Sequence, residues 1–306
     1  MGNIKPCRVR TISEFHQLRG LPKPEHPQIS LIDLDADTQP LKEASYQFIW
    51  EFYSVSSIGK TADAKFKYGQ QPHDFDEGAM FFMAPNQVFT IEKGREPISP
   101  SGWILLIHPD FLWETTLATK IRKYDFFDYS ANEALFLSEK EKAIINTIVR
   151  NVQQEYRSNI DKFTQDIIIS QIETLLNYAK RFYQRQFITR KKSNHTLLEH
   201  VEALLSEYFT SKELIEHGLP TPEYVAQRLN VSRNYLSSVL NVLTGQNTQQ
   251  HIHAKLIDLA KEKLSTTDLT VNEIAYQVGF EYPQSFSKLF KRKTALTPLE
   301  FRKSFN

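Results

Sequence analysis

The sequence predicts an α+β protein with a β-rich N-terminal half and a C-terminal domain made only of helices. Between Gln28 and about Leu112, short apolar runs alternate with polar or Gly/Pro turns, which is the pattern of strands. From Leu137 onward, apolar residues recur every three or four positions, which indicates amphipathic helices. With 306 residues, the chain is long enough for two domains that each bury a core.

The N-terminal half holds strand-like runs at close spacing, with no helical pattern between them. They read I-S-L-I-D-L, Y-Q-F-I-W-E-F-Y-S-V, A-K-F-K-Y, A-M-F-F-M-A-P and G-W-I-L-L-I-H-P. This arrangement favours a small antiparallel barrel or sandwich. Residues 1–27 are rich in Pro and His and predict an arm with at most a short helix around Ile12–Leu18.

Two helices are predicted after the strands. Ser138 and Glu141 form a capping box that begins the first, and its apolar stripe comprises Ile144, Ile145, Ile148, Val149, Val152 and Tyr156. The second begins near Lys162, and Ile167-Ile168-Ile169 makes it apolar on more than one face, as expected if two neighbours cover it. The second neighbour is either another protomer or part of the same subunit, and the apolar pattern fits both.

The most specific pattern is a repeat in the last third of the chain. In 270–302, Thr270 and Glu273 form a capping box, Gly279 ends a short helix, and a second helix begins after Tyr282. The core positions Ile274, Ala275, Val278 and Phe280 match Val225, Ala226, Leu229 and Val231 at an offset of 49; Phe286, Leu289 and Phe290 match Leu236, Val239 and Leu240 at an offset of 50. Two short helices around a tight turn, repeated, predict two helix-turn-helix motifs.

These residues resemble the double helix-turn-helix domain of the AraC/XylS family of bacterial transcription regulators. The resemblance is carried by Y-V-A-Q-R-L-N-V-S-x-x-Y-L, by I-A-Y-Q-V-G-F-x-x-x-x-x-F-S-K-L-F-K and by the closing L-T-P-L-E-F-R. Ala295 stands where the family usually has Gly, and Lys255 where the connecting helix usually has Arg; both are expected to be tolerated. The first motif has Val239-Leu240-Asn241 where the family usually has an aromatic residue and a Lys, so this motif is expected to make weaker basic contacts with DNA.

The outer faces of the two recognition helices supply the candidate DNA contacts. They are Arg233, Asn234, Ser237, Ser238 and Asn241 on the first helix, and Pro283, Gln284, Ser287, Lys288, Lys291 and Arg292 on the second. Arg233 and Lys288 suit guanine edges and Gln284 an adenine edge, whereas Lys291 and Arg292 suit phosphates. A connecting helix over Thr248–Leu264 would hold the two recognition helices about one DNA turn, roughly 34 Å, apart.

The distribution of charge agrees with this reading better than the total charge does. The formal net charge is only +1, but residues 221–306 contain 11 Lys and Arg against 7 Asp and Glu. A basic run over 180–192 is either the solvated end of a helix or a phosphate-facing flank.

The resemblance implies a cupin-like sensor barrel over residues 1–135, a helical dimerisation segment over 136–188, a linker over 189–194 and the DNA-binding domain over 195–306. The stretch G-x-M-F-F-M-A-P-N-Q is similar to a barrel strand that runs into its turn. Candidate effector-binding residues are Trp50, Phe52, Phe66, Phe82 and Trp103. The alternative is that these aromatic residues only fill the core or cover the surface.

No catalytic residue, metal site or cofactor is predicted. A cupin enzyme needs an H-x-H pair with further ligands, but the strand-rich stretch from Gln28 to Leu112 offers only His73 and His108. His251-x-His253 has the spacing but lies in a predicted helix, where residues i and i+2 do not face one another. The single Cys7 cannot form an internal disulfide, and no His stands beside it in the sequence to act as the base that activates a nucleophile.

The expected protein is therefore a cytoplasmic, homodimeric DNA-binding regulator that responds to a small-molecule effector. The resemblance implies an activator, because most of the family are, with RNA polymerase as a further partner. No run of 18 apolar residues or signal-like N-terminus occurs, so no membrane segment is expected. Two alternatives remain: an N-terminal domain that only dimerises or contacts a protein, and an enzyme fused to a DNA-binding domain.

Overall fold

The computed structural model describes residues 7–35, 45–59, 79–92, 101–129, 133–158, 161–189 and 191–304. The chain divides into two compact units, an N-terminal unit, Met1–Gln186, and a C-terminal unit, Phe187–Asn306. None of the helices that the described residues build combines the length with the apolar composition that crossing a membrane requires.

The N-terminal unit contains eight described strands and the first helices, the last of which ends three residues after Gln186. They are β1 (Cys7–Val9), α1 (Ile12–Arg19), β2 (Ile29–Asp33), β3 (Ser45–Trp50), β4 (Tyr53–Ile58), β5 (Ala79–Met83), β6 (Val88–Glu92), β7 (Gly102–Ile107), α2 (Thr116–Lys120), β8 (Leu135–Phe136), α3 (Glu139–Arg157) and α4 (Thr164–Thr189). Short 3-10 turns at Pro109–Leu112, Ile121–Lys123 and Asp125–Asp128 connect β7 to the later elements. The predicted arm helix is confirmed as α1, which a capping box of Thr11 and Glu14 begins.

The strands form two sheets. β1, β3 and β6 make a three-stranded sheet in which β1 runs parallel to β3, and β2, β7, β4, β5 and β8 make a five-stranded antiparallel sheet in that order. A closed barrel has no edge strands, but among the described residues β2 and β8 are edges of one sheet and β1 and β6 of the other. The cupin-like barrel is therefore not confirmed. The predicted run A-K-F-K-Y lies outside the described residues.

The five-stranded sheet buries side chains on both faces. One face carries Ile32, Leu106 and Ile58, which belong to a core cluster with Trp50 and Phe52. The opposite face includes Val55, which pairs with both Leu105 and Phe82. A sheet covered on both sides reads as nearly continuous apolar runs, which explains why the strands do not alternate cleanly in the sequence.

Helices α3 and α4 follow the predicted pattern with one exception. The capping box of Ser138 and Glu141 is present, and five of the six predicted stripe residues of α3 are buried. Ile144 is 37% exposed and was wrongly placed in the buried stripe, because periodicity alone does not fix the edge of an apolar stripe. Ile167 of α4 is 42% exposed, and the second neighbour that was predicted to cover it stays a prediction.

Helices are the only regular secondary structure among the described residues of the C-terminal unit. Its helices are α5 (Lys191–Thr210), α6 (Glu213–His217), α7 (Pro222–Arg228), α8 (Arg233–Thr244), α9 (Thr248–Thr266), α10 (Val271–Gln277), α11 (Pro283–Thr294) and α12 (Pro298–Lys303). α5 begins before the predicted domain start at 195, so the predicted linker, 189–194, contains helix on both sides of residue 190. Within it, Asn194 is buried and its amide donates to the Phe187 carbonyl at 2.5 Å.

One core holds this unit together. Buried residues from α5, α7, α8, α9, α10 and α11 join it, among them Val201, Val225, Leu236, Ile252 and Phe286. The sequence repeat pairs apolar positions of the two motifs. All of these residues belong to this cluster or pack against it except Val239, which is buried but does not belong to the cluster. The repeated sequence therefore builds two similar halves around one core.

Candidate nucleic-acid interface

The first helix-turn-helix motif consists of α7, a turn and α8. Thr221 caps α7 by accepting a hydrogen bond from the Tyr224 amide at 3.1 Å, and Ser232 caps α8 in the same way. In the turn, the Val231 amide donates to the Ala226 carbonyl at 3.1 Å, and Asn230 has a positive φ of 54°. Asn tolerates this left-handed conformation better than most side chains.

The second motif, α10, its turn and α11, repeats this geometry. The Phe280 amide donates to the Ala275 carbonyl at 2.9 Å, the counterpart of the Val231–Ala226 bond. Gly279, with φ of 85°, takes the place of Asn230, which confirms its predicted role in the turn. The shared hydrogen bond, at an offset of 49 residues, confirms that the sequence repeat is a structural repeat.

The repeat extends beyond the residues that the sequence pattern paired. At the last residue of α8, the Thr244 hydroxyl donates to the Leu240 carbonyl, and at the last residue of α11 the Thr294 hydroxyl donates to the Phe290 carbonyl, both at 2.8 Å. A capping box then begins the next helix in each half: Asn247 with Gln250 for α9, and Thr297 with Glu300 for α12. α12 is thus the counterpart of the first turn of α9.

The candidate DNA contacts on α8 lie away from its buried face. Leu236, Val239 and Leu240 are buried, whereas the candidates are exposed (Arg233 and Asn241) or half-buried (Asn234, Ser237 and Ser238). The Arg233 guanidinium lies 3.4 Å from the Glu223 carboxylate on α7. Both side chains are 60% exposed, so this ion pair is weak.

The candidates on α11 form a more basic face. Gln284, Lys288, Lys291 and Arg292 are exposed, and Pro283 and Ser287 are half-buried. The buried side of the helix carries Phe286, Leu289 and Phe290, and the Phe286 ring lies 5.7 Å from both Phe280 and Phe290. Lys293 adds a fourth exposed cation to α11, whereas Arg233 is the one cation of α8. No finding tests the DNA contacts themselves, which stay predictions.

A capping glutamate and a histidine of the connecting helix both have lowered pKa values. Two hydrogen bonds from Thr270, one from its backbone and one from its hydroxyl, hold the pKa of the exposed Glu273 carboxylate below its ordinary value. Burial, followed by the charges of Lys293 and Arg292, lowers the pKa of His253.

The two histidines of the H-x-H sequence do not converge. Nε2 of His251 lies 2.9 Å from the Thr244 hydroxyl, and Nε2 of His253 lies 3.0 Å from the Gln249 amide nitrogen. Within the part of the chain that the structure describes, no group of three or more His, Cys, Asp or Glu side chains is placed to hold a metal.

The candidate effector residues fall in different places in the N-terminal unit. Trp50 and Phe52 stack at 5.8 Å within one buried cluster. Phe82 packs instead against Phe126, at 4.5 Å between ring centroids. Trp103 is half-buried, and its indole N–H donates to Asn146 of α3 at 3.0 Å. Phe66 lies outside the described residues, so the structure brings only Trp50 and Phe52 together.

Sequence reasoning missed two features that join the halves of the C-terminal unit. Helix α6 precedes Gly218, which contacts the turn at Gly279. Arg302 of α12 donates to two backbone carbonyls, Leu264 in the last turn of α9 and Leu269 just before α10. Arg302 belongs to the segment L-T-P-L-E-F-R, but periodicity carries no signal for a contact with residues more than thirty positions away.

Comparison with known proteins agrees with the geometry of the two motifs. A family model of the helix-turn-helix domain matches residues 225–304. An uncharacterised helix-turn-helix transcriptional regulator of Staphylococcus aureus is 28% identical over 160 residues, which are 51% of this chain and 20% of that protein. The uncharacterised regulator YijO of Escherichia coli is 27% identical over 135 residues, 44% of this chain and 45% of YijO. The matched part of this chain thus spans less than half the length of either relative.

A solved structure gives the same kind of match. The C-terminal domain of the two-component response regulator yesN from Fusobacterium nucleatum is 31% identical, covering 34% of this chain and 95% of that domain, with a TM-score of 0.30. The family match and the repeated motif geometry identify residues 225–304 as a helix-turn-helix domain of the AraC/XylS family of bacterial transcription regulators.

Proposed function

We propose that this chain regulates transcription by reading double-stranded DNA with both helix-turn-helix motifs. The observation that carries the proposal is the repeated turn, in which the Val231 and Phe280 amides donate to equivalent carbonyls. The repeat presents α8 and α11 on equivalent scaffolds, each with a polar outer face. The names of the relatives, which are helix-turn-helix transcriptional regulators, support the same function.

The connecting helix suits a two-part site. α9 has 19 residues and is therefore about 28 Å long at 1.5 Å per residue. Two recognition helices that enter the major groove on one face of B-DNA lie about one turn, roughly 34 Å, apart. One protomer would thus contact two unlike half-elements in succession.

The side chains divide the task of recognition. Arg233 and Lys288 would hydrogen-bond guanine edges and Gln284 an adenine edge, each worth about 1–3 kcal/mol of discrimination. Lys291 and Arg292 would hold phosphates, which positions the protein without reading sequence. Because α11 has more cations than α8, the second motif supplies most of the affinity and the first adds sequence preference.

Selection from random-sequence duplexes tests the proposal. The full-length protein is used beside the compact fragment 187–306, at several salt concentrations. We expect enrichment of a two-part motif whose halves are centred about one turn apart. If neither protein enriches a sequence at any salt concentration, the proposal is wrong. If the fragment alone enriches one, the full-length protein needs an effector to bind.

We further propose that the N-terminal unit binds a small-molecule effector on the face of its sheet that Trp50 and Phe52 cover. Leu106 on this face pairs with Ser30 on one side and Ser54 on the other, and both serines are buried. Buried His16 places Nε2 at 2.9 Å from the Ser30 hydroxyl. A few polar groups within an apolar lining are the usual composition of a ligand site.

A thermal-shift screen of metabolites, with Ser54→Ala as the paired variant, tests the effector site. A ligand that raises the midpoint of the wild type but raises that of the variant less supports the site. If no compound shifts either protein, the unit serves as a dimerisation or protein-contact module, with RNA polymerase as one partner to test.

The proposal includes a homodimer formed through the helical segment 136–188. Its support is the apolar side chain of Ile167, which is 42% exposed beside the buried Ile168 and Ile169 of α4. Light scattering on wild type and Ile167→Asp checks it, with the exposed Leu18 of α1, outside this segment, changed to Asp as a control. Whether the protein activates or represses transcription is measured as the expression of a reporter gene whose promoter carries the selected motif.

A further inference from the structure

The last helix, α12, contacts both the second recognition helix and the end of the connecting helix. The Phe301 ring lies 5.5 Å from the Phe290 ring of α11, edge to face. The next residue, Arg302, reaches the other way: Nε donates to the Leu264 carbonyl at 3.2 Å, and Nη2 donates to the Leu269 carbonyl at 2.6 Å. α12 thereby ties α11 to α9.

The two carbonyls mark the two ends of the connection between α9 and the second motif. Leu264 is buried in the last turn of α9. Backbone carbonyls in the last turn of a helix have no amide donor within that helix. Leu269 directly precedes Thr270, the N-cap of α10. A guanidinium is planar and always charged, so its fork holds two acceptors in a fixed geometry that the ammonium of Lys does not reproduce. Its positive charge also suits a helix C-terminus.

This connection determines where the second recognition helix lies relative to the first. The first motif leads directly into the N-terminus of α9, and the second begins at its C-terminus, so a change of angle between Leu264 and Leu269 displaces α11 as a whole. A second hydrogen bond supports the same connection, from Nζ of Lys263 on α9 to Oε1 of Gln277 on α10, at 2.9 Å.

The repeat shows that this contact has no counterpart in the first half. At the offset of 50 residues, Arg302 corresponds to Ile252, which is fully buried in α9. Where the first half has an apolar core residue, the second half has an arginine that binds the connection between α9 and α10.

We propose that Arg302 is a positioning residue that sets the separation of the two recognition helices, and thereby the spacing of half-elements that the protein accepts on DNA. This inference rests on the proposed function. A purely structural role would weaken binding to every spacing alike, whereas a positioning role changes the preference among spacings.

The experiment uses the full-length protein and the two-part motif that the wild type selects, with its spacer shortened or lengthened by one and two base pairs. Arg302→Lys keeps the charge and loses the fork. Lys303→Ala is the control, because it removes an exposed cation from the same helix. Thermal unfolding of each variant is recorded, and Lys263→Met, which removes the other hydrogen bond of the connection, serves as the second variant.

We expect the wild type to prefer one spacer by about tenfold or more, since a displaced half-element loses at least one base contact. Arg302→Lys should lower affinity for that spacer about tenfold, which corresponds to about 1.4 kcal/mol. It should bring the other spacers to within about threefold of it, because the two recognition helices are then no longer held at one separation. Lys263→Met should broaden the preference less, and Lys303→Ala should keep it.

An unchanged spacer preference in both Arg302→Lys and Lys263→Met overturns the inference, whether or not overall affinity falls. A wild type that selects no two-part motif is a different outcome, because it overturns the proposed function itself before any variant is compared.

Discussion

Gly218 and Gly279 lie so close together that a side chain on either would press on the backbone of the other. A Cβ added to Gly279 would lie 3.2 Å from the carbonyl carbon of Gly218, and one added to Gly218 would lie 3.3 Å from the carbonyl oxygen of Gly279. Gly218 follows α6 and precedes the first motif, whereas Gly279 is in the turn of the second. The two halves therefore meet at their backbones as well as through α9.

Gly279→Ala is expected to destabilise the protein more than Gly245→Ala. Both residues have positive φ, at 85° and 71°, so both changes incur a left-handed strain of about 1–2 kcal/mol. At Gly245 the new methyl meets nothing within 4 Å, whereas at Gly279 it would lie 3.0 Å from Cδ1 of Leu214 and 3.2 Å from backbone atoms. Overpacking of this kind costs roughly 1–3 kcal/mol more.

Urea unfolding of the two variants measures the difference. Gly245→Ala is the matched control, since it carries the strain without the contact. Equal losses of unfolding free energy in the two variants would show that the backbones can separate easily at this position.

Ala295→Gly is expected to stabilise the C-terminal unit by about 1 kcal/mol, because a non-glycine residue in the left-handed region is strained. Ala295 follows α11 with φ of 64°, and its counterpart after α8, Gly245, has φ of 71°. Gly is the usual residue at this position after a helix, so the departure from the family pattern carries a stability cost here.

The comparison is made by thermal and urea unfolding of wild type and Ala295→Gly. Thr294→Gly serves as a control that adds a glycine without relieving strain, and it should destabilise because the Thr294 hydroxyl binds the Phe290 carbonyl. A midpoint for Ala295→Gly at or below that of the wild type would contradict the prediction.

The helices and their caps were predictable because local sequence determines them. The capping boxes at Ser138 and Thr270 and the turn at Gly279 each depend on residues within a few positions of one another. The repeat added the core positions, since two segments with the same apolar pattern are unlikely to agree by chance.

The rest depends on contacts between distant residues. Which strands pair, and that they form two sheets in the described residues, follows from long-range register that no local pattern encodes. For the same reason, the sequence groups Phe82 with Trp50 and Phe52, although the structure places Phe82 elsewhere. When a strand is buried on both faces, its apolar sequence does not show which face each side chain occupies. Arg302 is a similar case, since its partners lie 33 and 38 positions earlier.

Acid is expected to remove the contribution of Glu273 to stability. Its carboxylate accepts hydrogen bonds from the Thr270 amide and hydroxyl, at 2.7 and 2.8 Å, which lowers its pKa from the ordinary value of 4.5. A carboxyl whose pKa is lower in the folded state stabilises the fold above its unfolded pKa, and this contribution is lost as pH falls through the folded pKa.

Thermal unfolding of wild type and Glu273→Gln between pH 7 and pH 3 measures this effect. The variant should unfold at a lower temperature at neutral pH, and the difference should shrink below pH 4.5. Glu281→Gln, a change at an exposed carboxylate in the following turn, is the control. A difference between wild type and Glu273→Gln that stays constant across this range would contradict the assignment.

Lys288→Ala is expected to weaken DNA binding more than Arg233→Ala does. Lys288 lies among four exposed cations of α11, whereas Arg233 is the single cation of α8 and lies 3.4 Å from the carboxylate of Glu223. Arg233→Ala should instead relax the sequence preference at the base that it contacts, where a bidentate pair discriminates by about 1–3 kcal/mol.

Binding of both variants to the selected motif, over a range of salt concentrations, separates these roles. Lys291→Ala is measured beside them, because loss of one phosphate contact should reduce the salt slope by about 0.9 without changing sequence preference. Glu223→Gln removes the carboxylate beside Arg233 and should strengthen binding modestly. Equal losses and equal salt slopes for Lys288→Ala and Arg233→Ala would mean that the two motifs share the affinity evenly, contrary to the proposed division of roles.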